Sequence, residues 1–168
     1  RQRWHRAAKK EKRWRAYEDF AAVAKDLVKT GVTTHATLGC MGGSNGGLLT
    51  GAMMTHYPHL FGAVVSQCPL LDMERYVLLT SGPSWIDEYG DPSKPEERDA
   101  LLGFSPYHNL EKSVDDAVKK RGFDEASARR GEHLPATLFT TSTADDRVHP
   151  SHARRVVHKM RALGIGGK

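Results

Sequence analysis

The sequence predicts an α/β fold built on a parallel sheet. Three apolar runs, at 37–41, 63–68 and 136–141, have the length and composition of buried strands, and helical patterns separate them. A glycine-rich turn, Gly42-Gly43-Ser44-Asn45-Gly46-Gly47, lies directly behind the first run. Strands alternating with helices favour parallel pairing with helices on both faces, and ligands then belong at the carboxyl ends of the strands.

The elements follow in order along the chain. Tyr17, Phe20, Val23, Ala24, Leu27 and Val28 recur at helical spacing, and Gly31 supplies a stop. After the strand at 37–41, a helical run from Leu48 to Tyr57 ends before Pro58, and Ala63-Val64-Val65-Ser66-Gln67-Cys68 reads as the second strand. A short helix is predicted from Asp72 to Leu79, broken by Ser81-Gly82-Pro83, and another from Pro95 to Leu102 with proline in its first turn. Residues 111–132 are charged and weakly periodic, and read as a surface insertion with marginal helices. Ala136 to Thr141 is the third strand and Ser151 to Leu163 the final helix.

The glycine-rich turn has the pattern of a nucleophile elbow. A serine on a sharp strand-to-helix turn holds a strained backbone, and glycines two residues either side, here Gly42 and Gly46, let strand and helix approach without a side-chain clash. The turn lifts the Ser44 hydroxyl above the sheet, while the Asn45 N–H is placed where an attacked carbonyl develops negative charge. A flexible Gly/Ser loop and a phosphate-cradling turn are the competing readings. No lysine follows at the spacing that phosphate binding of the Walker type requires.

A second chemical site is Ala144-Asp145-Asp146-Arg147-Val148. An acid at the carboxyl end of a later strand is what the Ser, Asp, His order of an α/β-hydrolase needs, because a carboxylate fixes the histidine tautomer. Two acids compete for that role. Adjacent loop residues point different ways, so one faces the site and the other caps the next helix or pairs with Arg147.

Charge is unevenly spread. Of the net +5, residues 1–16 carry eight Lys/Arg and one acid, Glu11, which leaves 17 bases against 19 acids in the remainder. Trp4 and Trp14 interleave with that basic run, but a charged helix start is ordinarily a solvated face, and no nucleic-acid-binding motif accompanies it. No apolar run approaches the length of a membrane span. Two cysteines in predicted strands, Cys40 and Cys68, are the pattern of reduced core thiols and favour a cytoplasmic setting.

Taken in order, Tyr17-Glu18-Asp19-Phe20, the turn at 42–47, Leu71-Asp72-Met73, Trp85 with Tyr89-Gly90, Ser105-Pro106-Tyr107-His108-Asn109 and Asp145-Asp146-Arg147-Val148 carry a resemblance. Over most of its length the chain resembles the carboxyl-terminal catalytic domain of prolyl oligopeptidases, serine peptidases of the α/β-hydrolase fold. Asn45 after the serine is more like this branch than the dipeptidyl or acylaminoacyl branches. The resemblance implies Ser44 as nucleophile, Asp145 as triad acid and the Asn45 N–H as one oxyanion donor. It further implies Trp85 as a face for a proline ring, Leu70, Tyr89 and Val148 as pocket walls, and Arg147 as a ligand of a substrate carbonyl. Flat aromatic surfaces and guanidinium forks suit those tasks. Without the neighbouring motifs, Trp85 reads as a loop anchor and Tyr89 as a hydrogen-bonded turn residue.

The family's catalytic histidine, its second oxyanion donor, its first strands, its last strand and its β-propeller have no counterpart among the 168 residues. The expectation is therefore one partial α/β-hydrolase domain, inactive by itself, with a short peptide as substrate and the rest of its own longer chain as partner. Neither cofactor, metal, nucleic acid nor membrane is expected. The alternative is a non-catalytic pseudoenzyme, or a binding module using the basic amino end. Three histidines follow Asp145. His149 is held extended before Pro150, His158 lies about two turns into the last helix, and His152 is expected to face solvent.

Overall fold

A computed structural model describes residues 2–166. Its centre is a three-stranded parallel sheet in the order β1 (Gly39–Gly43), β2 (Ala63–Gln67), β3 (Ala136–Thr140). Cys40, Val64 and Thr137 share one row, as do Gly42, Ser66 and Phe139. Cys40, Val64 and Ser66 of these rows are buried. Ser66 is satisfied there by donating its hydroxyl to the Gly47 carbonyl at 2.9 Å.

Eight α-helices accompany the sheet among the described residues: α1 (Gln2–Arg6), α2 (Trp14–Lys29), α3 (Asn45–His56), α4 (Ile86–Tyr89), α5 (Pro95–Phe104), α6 (Pro106–Arg121), α7 (Glu125–Arg129) and α8 (Ser151–Ala162). Helix α3 packs on β1 and β2 and is apolar nearly all round, with Leu48, Ala52, Met53 and Met54 out of contact with water. Each such large side chain contributes about 1.5–3 kcal/mol by its burial. Helix α2 offers Tyr17, Ala21 and Ala24 to the core. Val23, predicted on that face, is 59% exposed, because at 3.6 residues per turn it lies roughly 120° round the axis from Tyr17.

Two sequence expectations need correction. The segment 72–79 is a turn followed by a single 3₁₀ turn, Tyr76–Leu78. Side chains from distant segments fix its start as a turn: the Asp72 N–H donates to His152 Nδ1 at 3.1 Å, and the Met73 N–H to Ser105 Oγ at 3.0 Å. The second correction concerns 111–132. Most of its first half is the body of the 16-residue α6, which buries Leu110, Ser113, Val114 and Ala117. Serine and alanine at core positions weakened the apolar periodicity that would have revealed that face. Helix α7 is capped by Asp124, whose carboxylate accepts the Ser127 N–H at 2.9 Å, and its Ala128 packs with Val114, Ala117 and Ile165.

The layering also departs from the expectation of helices on both faces: the helices leave one face of the sheet open. Met41, Val65 and Leu138 share a row on that face, and Met41 and Leu138 are 71% and 57% exposed. Among the described residues no helix is long and apolar enough to cross a membrane.

Candidate active site

Strand β1 ends at Gly43, helix α3 begins at Asn45, and the reversal between them falls on Ser44 with φ 57° and ψ −117°. An L-residue holds such a backbone only where the surroundings impose it. Here the Ser44 N–H donates to the Gln67 carbonyl at 2.8 Å, and its own carbonyl accepts from Leu48 N–H at 3.1 Å. A Cβ on Gly42 would stand 2.4 Å from the Gly46 carbonyl oxygen, so this position requires glycine. Gly46 differs from expectation, since a Cβ there meets nothing within 4 Å; the second clearance is at Gly47, where a Cβ would lie 2.8 Å from Pro69 Cα.

Asn45 is the first residue of α3, so its N–H has no intrahelical acceptor. Its side-chain oxygen accepts two hydrogen bonds, from Arg13 Nη2 at 2.5 Å and from the Tyr89 hydroxyl at 3.0 Å. Burial pushes the Tyr89 phenol up to about 12, so it stays a donor.

Asp145 and Arg147 come from the loop after β3. One Asp145 oxygen accepts the Val148 N–H at 2.8 Å and the Arg147 N–H at 3.0 Å. The Val148 amide is the main reason that its carboxyl sits below the usual aspartate range. Asp146 is exposed. The Arg147 guanidinium donates from Nη1 to the Ser44 hydroxyl, and the Arg147 carbonyl accepts from Thr80 Oγ1 at 2.8 Å. Cys68 ends the turn after β2 with φ 40°, and burial, then Asp145, raises its thiol. Ser44, Cys68 and Thr80 are three of the four non-glycine residues with positive φ among those described. Ser44 and Cys68 put strained backbone directly after the carboxyl ends of β1 and β2, and Thr80 adjoins the loop after β3 through its bond to Arg147.

Trp85 closes the 3₁₀ turn Gly82–Trp85, half-buried against the main core. The three residues named as pocket walls are enclosed: Leu70 and Val148 are each 1% exposed and Tyr89 5%. The Tyr89 hydroxyl is hydrogen-bonded, as its alternative reading as a turn residue expects.

The histidines fall differently from expectation. His152 is buried, not solvent-facing, and its Nδ1 accepts from the Asp72 and Leu71 amides at 3.1 and 3.3 Å. That pattern requires the neutral Nε2–H tautomer, and burial pushes its pKa down to about 4. His149 Nδ1 accepts the Ser151 N–H at 3.1 Å, and His158 is exposed. Among the described residues the hydroxyl of Ser44 is met by Arg147 and by none of these rings.

Sequence reasoning missed Arg13. It reads as one charge of a basic run, yet it is 5% exposed, bonded to Asn45 and to the Glu88 carboxylate, with its guanidinium 4.7 Å from the centre of the Tyr89 ring. The signal was the complementary acids of α4 and α5, since Lys9 pairs with Asp87 and Lys10 with Glu97.

Three parallel strands, a strained serine turn and the helix behind it make this a partial α/β-hydrolase fold. The model of the prolyl oligopeptidase family matches residues 1–166, and the chain belongs to that family. It is 43% identical to an uncharacterized peptidase of Sinorhizobium fredii over 163 residues, 97% of this chain and 20% of that protein. A post-proline cleaving enzyme from Rickettsia typhi superposes with a TM-score of 0.79 at 37% identity, over 97% of this chain and 21% of that one. Prolyl oligopeptidase B of Galerina marginata, bound to a 35mer hydrolysis and macrocyclization substrate, gives 0.80 at 29% identity over 98% and 22%. The chain thus spans about a fifth of the length of these relatives.

Proposed function

We propose that these residues supply the nucleophile, the triad acid and the specificity wall of a serine peptidase that cleaves short peptides after proline. The observation that carries the reading is the strained Ser44 with the Asn45 amide free at the start of α3. Ser44 Oγ attacks the scissile carbonyl carbon while a general base takes its proton. The resulting oxyanion accepts from the Asn45 N–H. Collapse expels the amine, which leaves with that proton, and water then hydrolyses the acyl-enzyme by the same route in reverse order of roles.

Asp145 is the residue for orienting the base, because two amides hold its carboxyl ionised and fixed. His149, His152 and His158 are each placed away from that task, so we assign the base to a residue outside 2–166 and expect this segment alone to be inactive. Arg147, a permanent cation, cannot accept the serine proton; it leaves Ser44 for a substrate carbonyl. Trp85 takes the proline ring on its indole face. The pairing of Lys9, Lys10 and Arg13 with acids of α4 and α5 weighs against a binding module built on the basic amino end.

The test is digestion of a peptide with one internal proline by the full-length chain carrying this segment, read by mass spectrometry. Cleavage after proline that vanishes in Ser44→Ala is the expected result. Cleavage elsewhere, or activity that survives Ser44→Ala, contradicts the proposal.

A further inference from the structure

We propose that Arg13 is a positioning residue for the oxyanion side of the site, acting through Asn45; this rests on the acyl-transfer reading of Ser44. The backbone at Ser44 is strained and the next peptide N–H must hold a fixed direction, so something has to restrain Asn45. Its own helix does so only from one side. From the other side, Asn45 Oδ1 is held by two donors at once, the Arg13 guanidinium and the Tyr89 hydroxyl.

Arg13 is itself immobilised. It lies between the 3₁₀ turn Lys10–Lys12 and the start of α2, is 5% exposed, and bonds through Nη1 to the Glu88 carboxylate. Its guanidinium lies against the Tyr89 ring, 4.7 Å from the ring centroid, and that ring meets Tyr76 edge-on at 5.7 Å between centroids. One planar fork therefore ties three segments together: the amino-terminal segment, the nucleophile turn, and α4 just after Trp85. Lysine offers a single charged point and cannot hold Asn45 and Glu88 in the same plane.

The clamp bears on the transition state more than on substrate binding. The Asn45 N–H matters once charge builds on the attacked oxygen, and small displacements of such a donor are costly. Releasing Asn45 should thus lower kcat and spare KM.

The test uses the full-length chain with Arg13→Met, Arg13→Lys, Asn45→Ala and Arg13→Met/Asn45→Ala. Turnover of a proline-containing peptide is measured beside the affinities of a peptidyl boronic acid, whose oxygen occupies the oxyanion position, and of the cleaved peptide product. The expected result is a kcat about 10- to 100-fold lower in Arg13→Met with KM within about threefold, and boronate affinity falling by a like factor while product affinity holds. Arg13→Lys should recover part of the loss, and Arg13→Met should add little once Asn45 is alanine. If Arg13→Met does not fold, Asn45→Ala alone must show the same split, since it opens the clamp and leaves the backbone donor in place. Unchanged kcat, a loss confined to KM, or equal losses in boronate and product affinity overturns the proposal. Ser44→Ala is run alongside: activity surviving there removes the acyl-transfer reading and this inference with it, whereas its loss together with an indifferent Arg13→Met removes the inference alone.

Discussion

The guanidinium of Arg147 donates to the hydroxyl of Ser44 across 103 residues of chain. A cation in this position neither accepts the serine proton nor leaves the hydroxyl free, so under the proposed function the pair is a resting arrangement that substrate must break. In the full-length chain Arg147→Lys is expected to lower kcat/KM for peptides by about tenfold, because an ammonium cannot reproduce the planar fork on a carbonyl. Steady-state kinetics checks this, and unchanged constants would take Arg147 out of the site.

Trp85 sits half-buried at the end of its 3₁₀ turn, packed against the main core. Trp85→Ala should cost about 1–3 kcal/mol more in kcat/KM on a proline substrate than on its alanine analogue. Equal losses on the two substrates would mark Trp85 as a loop anchor and nothing more.

The turn glycines are not equivalent. Gly42→Ala forces a Cβ to 2.4 Å from the Gly46 carbonyl oxygen, and backbone is in the way, so inactive or insoluble protein is expected. Gly46→Ala meets open space in a helical position and should leave the melting temperature unchanged or slightly raised. A destabilised Gly46→Ala with a normal Gly42→Ala would reverse this account of the turn.

Acid stability should depend on His152. Its folded pKa, about 4, lies below the ordinary histidine value of 6.5, so between these limits the unfolded chain binds the extra proton. The stabilisation from the neutral ring is complete above the unfolded value and is lost as pH falls towards 4. His152→Leu should flatten that part of the melting temperature against pH and cost about 1–3 kcal/mol at neutral pH, since the Leu71 and Asp72 amides lose their acceptor. An unchanged acid limb would show that this ring does not titrate with unfolding.

Much of the candidate site's geometry was legible because it lies in local spacing. Gly42, Ser44 and Asn45 announce a strained turn within four residues, and the alternation of strands and helices puts Asp145 at the same sheet edge. Arg13 and His152 were illegible for a common reason. Each is a polar residue on a charged stretch whose partners, Asn45 and Glu88 or the amides of Leu71 and Asp72, lie far away in sequence. Periodicity reports which face of a helix is apolar, and it is silent about a cation or an imidazole that finds its partners inside. The same blindness hid α6, whose buried Ser113 and Ala117 carry little apolar signal.

The open sheet face has a consequence for the isolated segment. Met41 and Leu138, exposed on one row, together with unpaired edges at β1 and β3, should make residues 1–168 alone self-associate and bind a hydrophobic dye. Replacing both by lysine should reduce association. A soluble monomer with a sharp cooperative melt and no dye binding would contradict this.

The central claim is that Ser44 is a nucleophile whose base lies outside these residues, and covalent labelling tests it most directly. The full-length chain and the 168-residue segment are incubated with a fluorophosphonate probe, each beside Ser44→Ala and alanine variants of His149, His152 and His158, and the modified peptide is located by mass spectrometry. The expected result is label on Ser44 in the full-length chain and none on the segment. Label on Ser44 of the isolated segment that disappears on replacing one of the three histidines, or a full-length chain that labels equally as Ser44→Ala, would contradict the account.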